Sequence, residues 1–477
     1  MQTTNRAIHA AHERCGPIVR LGPTELSINC VDEGIRTVYS GSFEKHDWYP
    51  RQFPNYGKEQ MFSYVHNKPH GARKRMVSNI YSKTVLQSSA QVAENSKVLI
   101  SNRLFPYLEN AARTQTPVDV WSVNTGFTMD FMTVYLFGLS AGTKWALNER
   151  ERNQMMQKWA NRKPYEFYRS EIPKLSNWLQ LLGIPIFPKF LDEANQAFED
   201  LNLRLCDAAE AHLGPLANVG DDPVVYKQLK TQMIKSNEQR KTQDPEVGMQ
   251  LLTASEQRLE IASEMLDHLG AGHETSAICL TYLQWELCRN PNWQKRLREE
   301  LQTLSPAIAW PPKTEEEFDL PSPRSVDELK VLHAVLMETL RLHAPIPGNE
   351  PRITPMKRCT LAGYPNIPPN IRVQAQPYSL HRNPDVFPEP ESWLPERWLL
   401  PSSSEQLKEM HRWFWAFGSG GRMCIGSNLA MQEMKLVTAA MYTNYTTSII
   451  DDEGIEELDA YTTRPISNKL ILGFSRV

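Results

Sequence analysis

The residues best suited to chemistry in this chain lie in the run 417–426. This run reads Phe-Gly-Ser-Gly-Gly-Arg-Met-Cys-Ile-Gly, and an amphipathic helical stretch follows over residues 429–442. A thiolate at Cys424 therefore faces the N-terminal end of a helix, where free N–H groups and the helix dipole stabilise negative charge. Glycines let backbone approach a flat, bulky group closely, and Arg422 offers a planar fork to a carboxylate. Together these features predict a haem iron site with a thiolate axial ligand.

The spacing of this run carries a family resemblance. The pattern F-x-x-G-x-R-x-C-x-G is similar to the haem-binding signature of the cytochrome P-450 family. A buried cysteine in a glycine turn is the simpler alternative. The resemblance implies heme b as cofactor, with Cys424 as axial ligand of the heme iron and with Phe417, Gly418 and Arg422 in contact with the cofactor. The pattern is matched at Phe417, Gly420, Arg422, Cys424 and Gly426.

Two upstream motifs follow the order expected in the same family. Glu338 and Arg341 have i, i+3 spacing, which puts both side chains on one helix face within ion-pair reach. They resemble the family's E-x-x-R helix, and residues 395–398 (Pro-Glu-Arg-Trp) resemble the element that adds Arg397. The resemblance implies a buried cluster of these three residues that holds the Cys424 loop. We expect a structural role, because a buried ion pair adds little net stability but is costly to break.

A long helical stretch over residues 261–289 contains two glycines, Gly270 and Gly272. Glycine inside a helix costs roughly 1 kcal/mol relative to alanine, so a reason for each is expected. Residues 270–275 (Gly-Ala-Gly-His-Glu-Thr) resemble the oxygen-binding helix of the P-450 family, whose pattern is [AG]-G-x-[DE]-T. The resemblance implies that small residues here leave room for dioxygen.

The same resemblance assigns roles to individual residues of this helix. Thr275 and Glu274 are implied as the catalytic pair that delivers protons, and Ala271 is implied to lie over the haem. Asp267, Ala271 and Thr275 repeat at i, i+4 and i+8 and share nearly one face. We therefore place Asp267 in the substrate pocket. We also assign Gly270, which directly precedes Ala271, to this pocket. Asp267 either anchors a hydroxyl or amine of the substrate or pairs with a neighbouring group as scaffold, because a buried carboxylate needs a partner.

The remaining haem contacts are inferred from less specific matches to motifs of the family. Residues 70–75 resemble the family's propionate-binding helix, which begins with a histidine or tryptophan and carries a basic residue one turn on. This implies cofactor contacts from His70 and from Lys74, although Arg73 is the alternative because arginine is common at this point and forms a fork that lysine lacks. Arg352 resembles the arginine of the short strand after the E-x-x-R helix, which also reaches a propionate.

Size and composition limit the other possibilities. The chain has 477 residues, and its motifs form one ordered set, so we expect a single integrated domain over residues 1–477. The net charge of −3 gives no signal for nucleic acid. The seven cysteines are odd in number and scattered, which argues for a reducing compartment and against a disulfide framework. We expect a monomer.

Two segments bear on membrane contact. Residues 1–20 are polar and hold neither a signal peptide nor the roughly 20 apolar residues needed to span a bilayer. If an anchor has been lost, we expect the cytosolic face of the endoplasmic reticulum membrane, and otherwise the cytoplasm. Residues 178–191 (Trp-Leu-Gln-Leu-Leu-Gly-Ile-Pro-Ile-Phe-Pro-Lys-Phe-Leu) are apolar and interrupted by proline. The resemblance implies peripheral membrane contact there, and a core-packed loop is the alternative.

The resemblance, which looks strongest to filamentous-fungal members, implies a mainly α fold with a smaller β-rich part near the N-terminus and after the E-x-x-R helix. It implies a haem-thiolate monooxygenase that inserts one atom of dioxygen into a hydrophobic small molecule, in fungal secondary metabolism. Electrons are expected from an NADPH-dependent flavoprotein reductase, since no flavin or nicotinamide motif is present. The alternatives are an isomerase, dehydratase or peroxygenase on the same fold, or a non-catalytic haem binder.

Overall fold

The computed structural model describes residues 3–41, 43–214, 218–242, 252–312 and 318–477. Most of these residues lie in α-helices, and the strands are short. Strands occur near the N-terminus, after the helix that carries Glu338, and at the C-terminus. The prediction of a mainly α fold with a smaller β-rich part is confirmed.

The helices range from single turns to α13, which has 36 residues. Single 3₁₀ turns at Pro395–Leu399 and Gly420–Arg422 lie in the two loops that carry Arg397 and Arg422. The α-helices are α1 (Thr4–Cys15), α2 (Trp48–Gln52), α3 (Asn67–Val77), α4 (Lys83–Ser88), α5 (Ala90–Leu99), α6 (Phe105–Thr114), α7 (Val120–Phe137), α8 (Glu149–Asn161), α9 (Glu166–Ser170), α10 (Pro173–Leu181), α11 (Lys189–Ala211), α12 (Val224–Thr242), α13 (Ala254–Arg289), α14 (Pro291–Leu301), α15 (Pro323–Asp327), α16 (Lys330–Leu342), α17 (Pro377–Leu380), α18 (Glu405–Trp413) and α19 (Ser427–Asn444).

The strands form three small sheets. The first has the order β1-β2-β8-β5-β3, the second β4-β10-β9, and the third is the pair β6-β7. β2 pairs parallel with β8, whereas β1 pairs antiparallel with β2. The strands are β1 (Ile18–Gly22), β2 (Glu25–Ile28), β3 (Glu44–Lys45), β4 (Val118–Asp119), β5 (Arg352–Ile353), β6 (Cys359–Leu361), β7 (Tyr364–Ile367), β8 (Arg372–Gln374), β9 (Tyr445–Asp451) and β10 (Ile471–Arg476).

The chain folds into two compact units. The first comprises the described parts of Met1–Glu44, Ser96–Thr128 and His273–Val477, and the second those of Lys45–Asn95 and Met129–Gly272. The core of the first unit packs aromatic rings of Tyr39, Trp398 and Trp415 with aliphatic side chains of the first sheet and α16. Trp415 lies two residues before the cysteine run, packs edge-on against Tyr39 with ring centroids 4.5 Å apart, and donates through its indole to the Ser419 hydroxyl at 2.8 Å. The core therefore supports the segment that carries Cys424. The single integrated domain stays a prediction.

Helix α13 begins earlier than the sequence pattern predicted, at Ala254 and not at residue 261. Its start is explained by a capping box. The amide of Glu256 donates to the Thr253 hydroxyl at 3.2 Å, and the amide of Thr253 donates to the Glu256 carboxylate at 2.8 Å. Each side chain thus satisfies a backbone N–H that the first helical turn leaves without a partner.

The apolar segment 178–191 lies on the surface of the second unit. Its first part completes α10, and the turn that follows leads into α11. Leu181 is 85% exposed, and Trp178 and Leu182 are each 56% exposed. The alternative of a core-packed loop is therefore wrong for these side chains. Within the described residues, no helix combines the length and apolar character needed to cross a bilayer.

Candidate functional site: a cysteine loop before a helix

Backbone hydrogen bonds fold the loop that carries Cys424. The Cys424 amide donates to the Phe417 carbonyl at 2.9 Å and closes the run into a compact turn. Gly418 and Gly420 adopt φ angles of 66° and 69°, in the left-handed region that favours glycine. A Cβ at Gly420 would also collide with the carbonyl oxygen of Tyr39. The glycines thus shape this turn and allow it to pack tightly on the backbone beneath.

The loop places the exposed thiol of Cys424 just before the start of a helix. Cys424 is exposed, and α19 begins three residues later at Ser427. A Cβ added to Gly421 or Gly426 would meet open space, so the loop leaves room beside the sulfur for a broad planar group. A soft sulfur donor at a helix N-terminus, flanked by glycines and by Arg422, suits haem iron and haem carboxylates. The residues present therefore fit a haem group.

Glu338 is the centre of a buried ion-pair cluster. Its two carboxylate oxygens accept hydrogen bonds from Arg341 at 2.8 and 2.9 Å, and one also accepts from Arg397 at 3.0 Å. The Trp398 indole and the Leu394 amide complete the set at 2.8 and 2.9 Å. Burial raises the pKa of Glu338, but the hydrogen bonds and charges of the two arginines outweigh this and hold the pKa below its usual value. The structure thus joins the three residues that the sequence grouped.

A histidine connects this cluster to the cysteine loop. His381 Nδ1 lies 2.9 Å from the Arg341 carbonyl oxygen, which can only accept, so Nδ1 carries the proton. Its Nε2 then accepts from the Trp415 amide at 2.8 Å, two residues before Phe417. Burial and the Arg341 charge lower the pKa of His381 to about 3, which keeps the ring neutral and Nε2 an acceptor.

Helix α13 carries the predicted oxygen-binding segment. Glu274 and His273 are buried, Thr275 is partly exposed, and Ala271 is exposed. The hydroxyl of Thr128, on α7, donates to the His273 carbonyl at 2.8 Å and fixes the helix at this turn. The helix therefore buries the acid of the predicted catalytic pair and leaves the alcohol partly accessible.

The two glycines of this segment face large side chains. A Cβ at Gly272 would collide with the thioether of Met132, and a Cβ at Gly270 would lie 3.0 Å from the Trp159 ring. Both contacts lie within the second unit. Close packing by neighbouring helices therefore accounts for both glycines, whereas the sequence analysis had explained them by room for dioxygen.

Asp267 is held by a neighbour in the second unit. Its Oδ1 accepts from the side-chain amide of Gln60 at 3.3 Å. Burial, with the nearby charge of Glu264, raises the pKa of Asp267 to about 7. The bond to Gln60 supplies the partner that the scaffold interpretation requires. It does not engage every lone pair of the carboxyl, so the role as a substrate anchor stays a prediction.

The two basic residues that could bind a haem propionate, Arg73 and Lys74, differ in burial and in the contacts that they make. Arg73 is buried and pairs with Glu260 and Glu264 of α13, each at 2.8 Å. Lys74, the next residue of α3, is partly exposed. Arg73 is therefore committed to packing α3 against α13, which favours Lys74 as the cofactor contact.

His70 and Arg352 are both buried. His70 lies in the first half of α3 in the second unit. Arg352 belongs to the first unit, where its guanidinium stacks over the Tyr39 ring at 4.8 Å and lies 3.7 Å from the Glu350 carboxylate. Glu350 is thus a neighbour of Arg352 that sequence reasoning missed.

Glu433 is a second group that the sequence motifs did not single out. It lies on α19, nine residues after Cys424, and is buried. Its Oε1 has no hydrogen-bond partner among the described residues. Burial raises the pKa of Glu433 well above its usual range, and the nearby Ser276 hydroxyl offsets this only in part. A buried carboxyl beside the residue that follows Thr275 could have been found only from the helix packing.

The sequence profile described as Cytochrome P450 matches residues 2–470. The chain belongs to the cytochrome P450 family. Membership gives this P450 a haem-iron cofactor and places it among the oxidoreductases. The loop geometry around Cys424 is where that cofactor is expected to bind.

Relatives of this P450 come from filamentous fungi. Cytochrome P450 monooxygenase avaI of Aspergillus versicolor is 28% identical over 442 residues, which are 90% of this chain and 94% of the relative. Cytochrome P450 monooxygenase tazI of Aspergillus terreus is 27% identical over 96% of this chain and 84% of the relative. Cytochrome P450 monooxygenase sdnE of Sordaria araneosa is 26% identical over 94% of this chain and 82% of the relative.

A solved structure supports the fold. The crystal structure of the cytochrome P450DA heme domain superposes with a TM-score of 0.72, covers 100% of this chain and 94% of that chain, and shares 18% sequence identity. At this identity the likeness shows the fold alone, and it agrees with the mainly α architecture.

Proposed function

We propose that this P450 is a haem-thiolate monooxygenase that inserts one atom of dioxygen into a hydrophobic small molecule, in fungal secondary metabolism. The observation that carries the proposal is the exposed Cys424 thiol at the start of α19, in a glycine loop tied to a buried ion-pair cluster. The fungal relatives named above bear the name monooxygenase, which supports the reaction type.

In this proposal one residue binds the haem iron, and a second group of residues binds the haem carboxylates. Cys424 supplies the axial sulfur, and Phe417 and Gly418 lie in the same loop. Arg422, Arg352, His70 and Lys74 are the partners for the haem carboxylates. When bound, haem supplies the iron at which dioxygen is activated.

In this proposal Glu274 and Thr275 deliver protons to the reaction site. The Thr275 hydroxyl is partly accessible and can both donate and accept a hydrogen bond. Glu274 is buried next to it in sequence and can replace the proton that the hydroxyl gives up. The Thr128 hydroxyl donates to the carbonyl of the preceding residue, His273, and so fixes the helix turn that carries both groups.

Partners and location follow the same proposal. Electrons come from NADPH through a separate flavoprotein reductase, and the enzyme acts as a monomer. The exposed apolar side chains of residues 178–191 touch the cytosolic face of the endoplasmic reticulum membrane, where hydrophobic substrates dissolve. The net charge of −3 gives no signal for nucleic-acid binding.

The test measures how electrons are used. The enzyme is combined with a purified reductase, NADPH and an apolar metabolite selected because it shifts the haem spectrum from low to high spin. Thr275→Ala is expected to keep haem and substrate binding but to release hydrogen peroxide in place of product. Ser276→Ala is the matched control, because it removes the buried hydroxyl of the next residue on the same helix. An unchanged ratio of product to NADPH in Thr275→Ala would favour an isomerase, dehydratase or peroxygenase.

A further inference from the structure

Tyr39 lies beneath the loop that carries Cys424, and both residues belong to the first unit. The tyrosine is buried, and its ring meets the Trp415 indole edge-on, with centroids 4.5 Å apart. Its carbonyl oxygen lies so close to Gly420 that a Cβ there would collide with it. Tyr39 therefore supports the loop through both its ring and its backbone.

The hydroxyl of Tyr39 is part of the sheet that carries Arg352. It donates to the Glu350 carbonyl at 2.7 Å and accepts from the Ala375 amide at 2.9 Å. Glu350 and Ala375 lie opposite each other, because Arg352 pairs with Val373 and the Glu350 amide donates to the Ala375 carbonyl at 3.2 Å. A regular antiparallel pair would join the other carbonyl and amide directly. The phenol oxygen lies between them instead and so sets the spacing of the two chains just before Arg352.

The ring of Tyr39 also contacts the side chain of Arg352. The buried guanidinium lies 4.8 Å over the ring, and an aromatic face attracts a cation. The Glu350 carboxylate lies 3.7 Å from the guanidinium, which is too long for a direct hydrogen bond. A Cβ at Gly418, in the cysteine loop, would lie 3.7 Å from the same carboxylate. The guanidinium and the loop are therefore close together, with Tyr39 and Glu350 in contact with both.

We propose that Tyr39 is the positioning residue that holds the Arg352 guanidinium in place for a haem carboxylate. The inference rests on the proposed function, in which Arg352 binds that carboxylate. One tyrosine then supports two parts of the cofactor site, since it packs under the loop of the axial cysteine and also fixes the arginine. Phenylalanine keeps the ring and removes only the hydroxyl, so the contribution of the hydroxyl can be measured by itself.

The test uses the haem-loaded protein and measures the rate of haem transfer to apomyoglobin and the reduction potential of the haem iron. In Tyr39→Phe the Glu350 carbonyl and the Ala375 amide can approach each other, which displaces the strand that carries Arg352. We expect haem transfer to become about tenfold faster, as for the loss of one hydrogen bond to a charged group. We expect the reduction potential to fall, because a cation that moves away from the haem no longer favours the added electron.

Arg352→Gln shows whether Tyr39 acts through the arginine. It should give faster haem transfer and a lower potential, and the addition of Tyr39→Phe should change both measurements little further. Arg352→Lys replaces Arg352→Gln if the latter does not load haem, and the potential of Tyr39→Phe alone decides if neither does. Tyr282→Phe is the matched control, because it removes another buried hydroxyl that donates to a backbone carbonyl of the first unit, that of Ile455 at 3.1 Å. It should leave the potential unchanged.

The outcomes distinguish this inference from the proposed function. If the wild-type protein gives no haem spectrum, or if Arg352→Gln leaves both measurements at wild-type values, the proposed function or its assignment of Arg352 fails. If Arg352→Gln changes both but Tyr39→Phe leaves the potential unchanged, the positioning role of Tyr39 is wrong, even where Tyr39→Phe unfolds at a lower temperature. Equal effects of Tyr39→Phe with and without Arg352 would also overturn that role.

Discussion

At the scale of single residues, burial decides which titratable groups are charged. Cys424 is exposed at a helix start, where a thiolate is stabilised. Burial instead raises the pKa of Cys288 to about 11 and keeps that thiol protonated. His381 is neutral because burial lowers its pKa to about 3, and burial raises the pKa of Glu433 well above its usual range, which favours its protonated form.

Glu433 gives a prediction about pH. Its pKa is raised in the folded protein, so its contribution to stability is fully present below the pKa of the unfolded chain and is lost as pH rises towards the folded value. Glu433→Gln removes the charge that must be buried at high pH. We expect the variant to lose less stability than the wild type between pH 5 and pH 8.5.

The measurement is the free energy of unfolding in urea at several pH values for the haem-loaded protein. Glu405→Gln, at the exposed start of α18, is the control and should follow the wild-type curve. Parallel curves for wild type and Glu433→Gln would show that Glu433 does not titrate with a raised pKa.

At the scale of elements, the cysteine loop depends on helix α16 through a relay of hydrogen bonds. The E-x-x-R pair was predictable because i, i+3 spacing is local. The link from Arg341 through His381 to Trp415 joins residues 40 and 34 positions apart, and no local pattern signals it. The relay makes the position of Cys424 sensitive to His381, whose carbonyl also accepts a hydrogen bond from the Arg341 guanidinium at 3.0 Å.

His381→Phe tests this relay. The substitution keeps an aromatic ring but leaves the buried Trp415 amide without an acceptor, which costs about 1–3 kcal/mol. We expect a folded protein with weaker haem retention, measured by the rate of haem transfer to apomyoglobin. His411→Phe, an exposed histidine of α18, is the matched control. Equal transfer rates in wild type and His381→Phe would contradict the relay.

The ion-pair cluster itself predicts a larger effect. Glu338→Ala leaves two buried arginines without their carboxylate, and breaking such a pair costs roughly 3–5 kcal/mol. We expect protein that is misfolded or free of haem. Glu328→Ala, in the exposed pair with Arg324, should fold and load haem normally. A folded, haem-loaded Glu338→Ala that only turned over slowly would argue for a catalytic role.

At the scale of the whole molecule, the sequence was informative where motifs are contiguous and weak where distant helices meet. The Cys424 loop, the E-x-x-R helix and the α13 segment were located correctly in the chain. The residues that contact Gly270, Gly272 and Arg73 were not found, because they come from α8, α7 and the first part of α13, which are far from them in sequence. Contacts between elements that are far apart in sequence can be identified only from a three-dimensional structure.

The exposed apolar surface of residues 178–191 makes a prediction for the whole protein. Leu181→Glu removes an 85% exposed leucine from this surface. Burying one leucine side chain contributes about 1.5–3 kcal/mol, so we expect co-sedimentation with phosphatidylcholine vesicles to weaken by about tenfold or more. Leu147→Glu, an exposed leucine outside the segment, should have little effect. Equal vesicle binding by wild type and Leu181→Glu would contradict the proposed membrane contact.

The most direct test of the central claim is the spectrum of the reduced protein with carbon monoxide. The wild type should show the band that marks a thiolate ligand, and Cys424→Ala should lack it. Cys15→Ala, which removes the other exposed cysteine, and Cys279→Ala, which removes a buried one, should both retain the band. A thiolate band that survives in Cys424→Ala would contradict the assignment of Cys424 as the haem ligand.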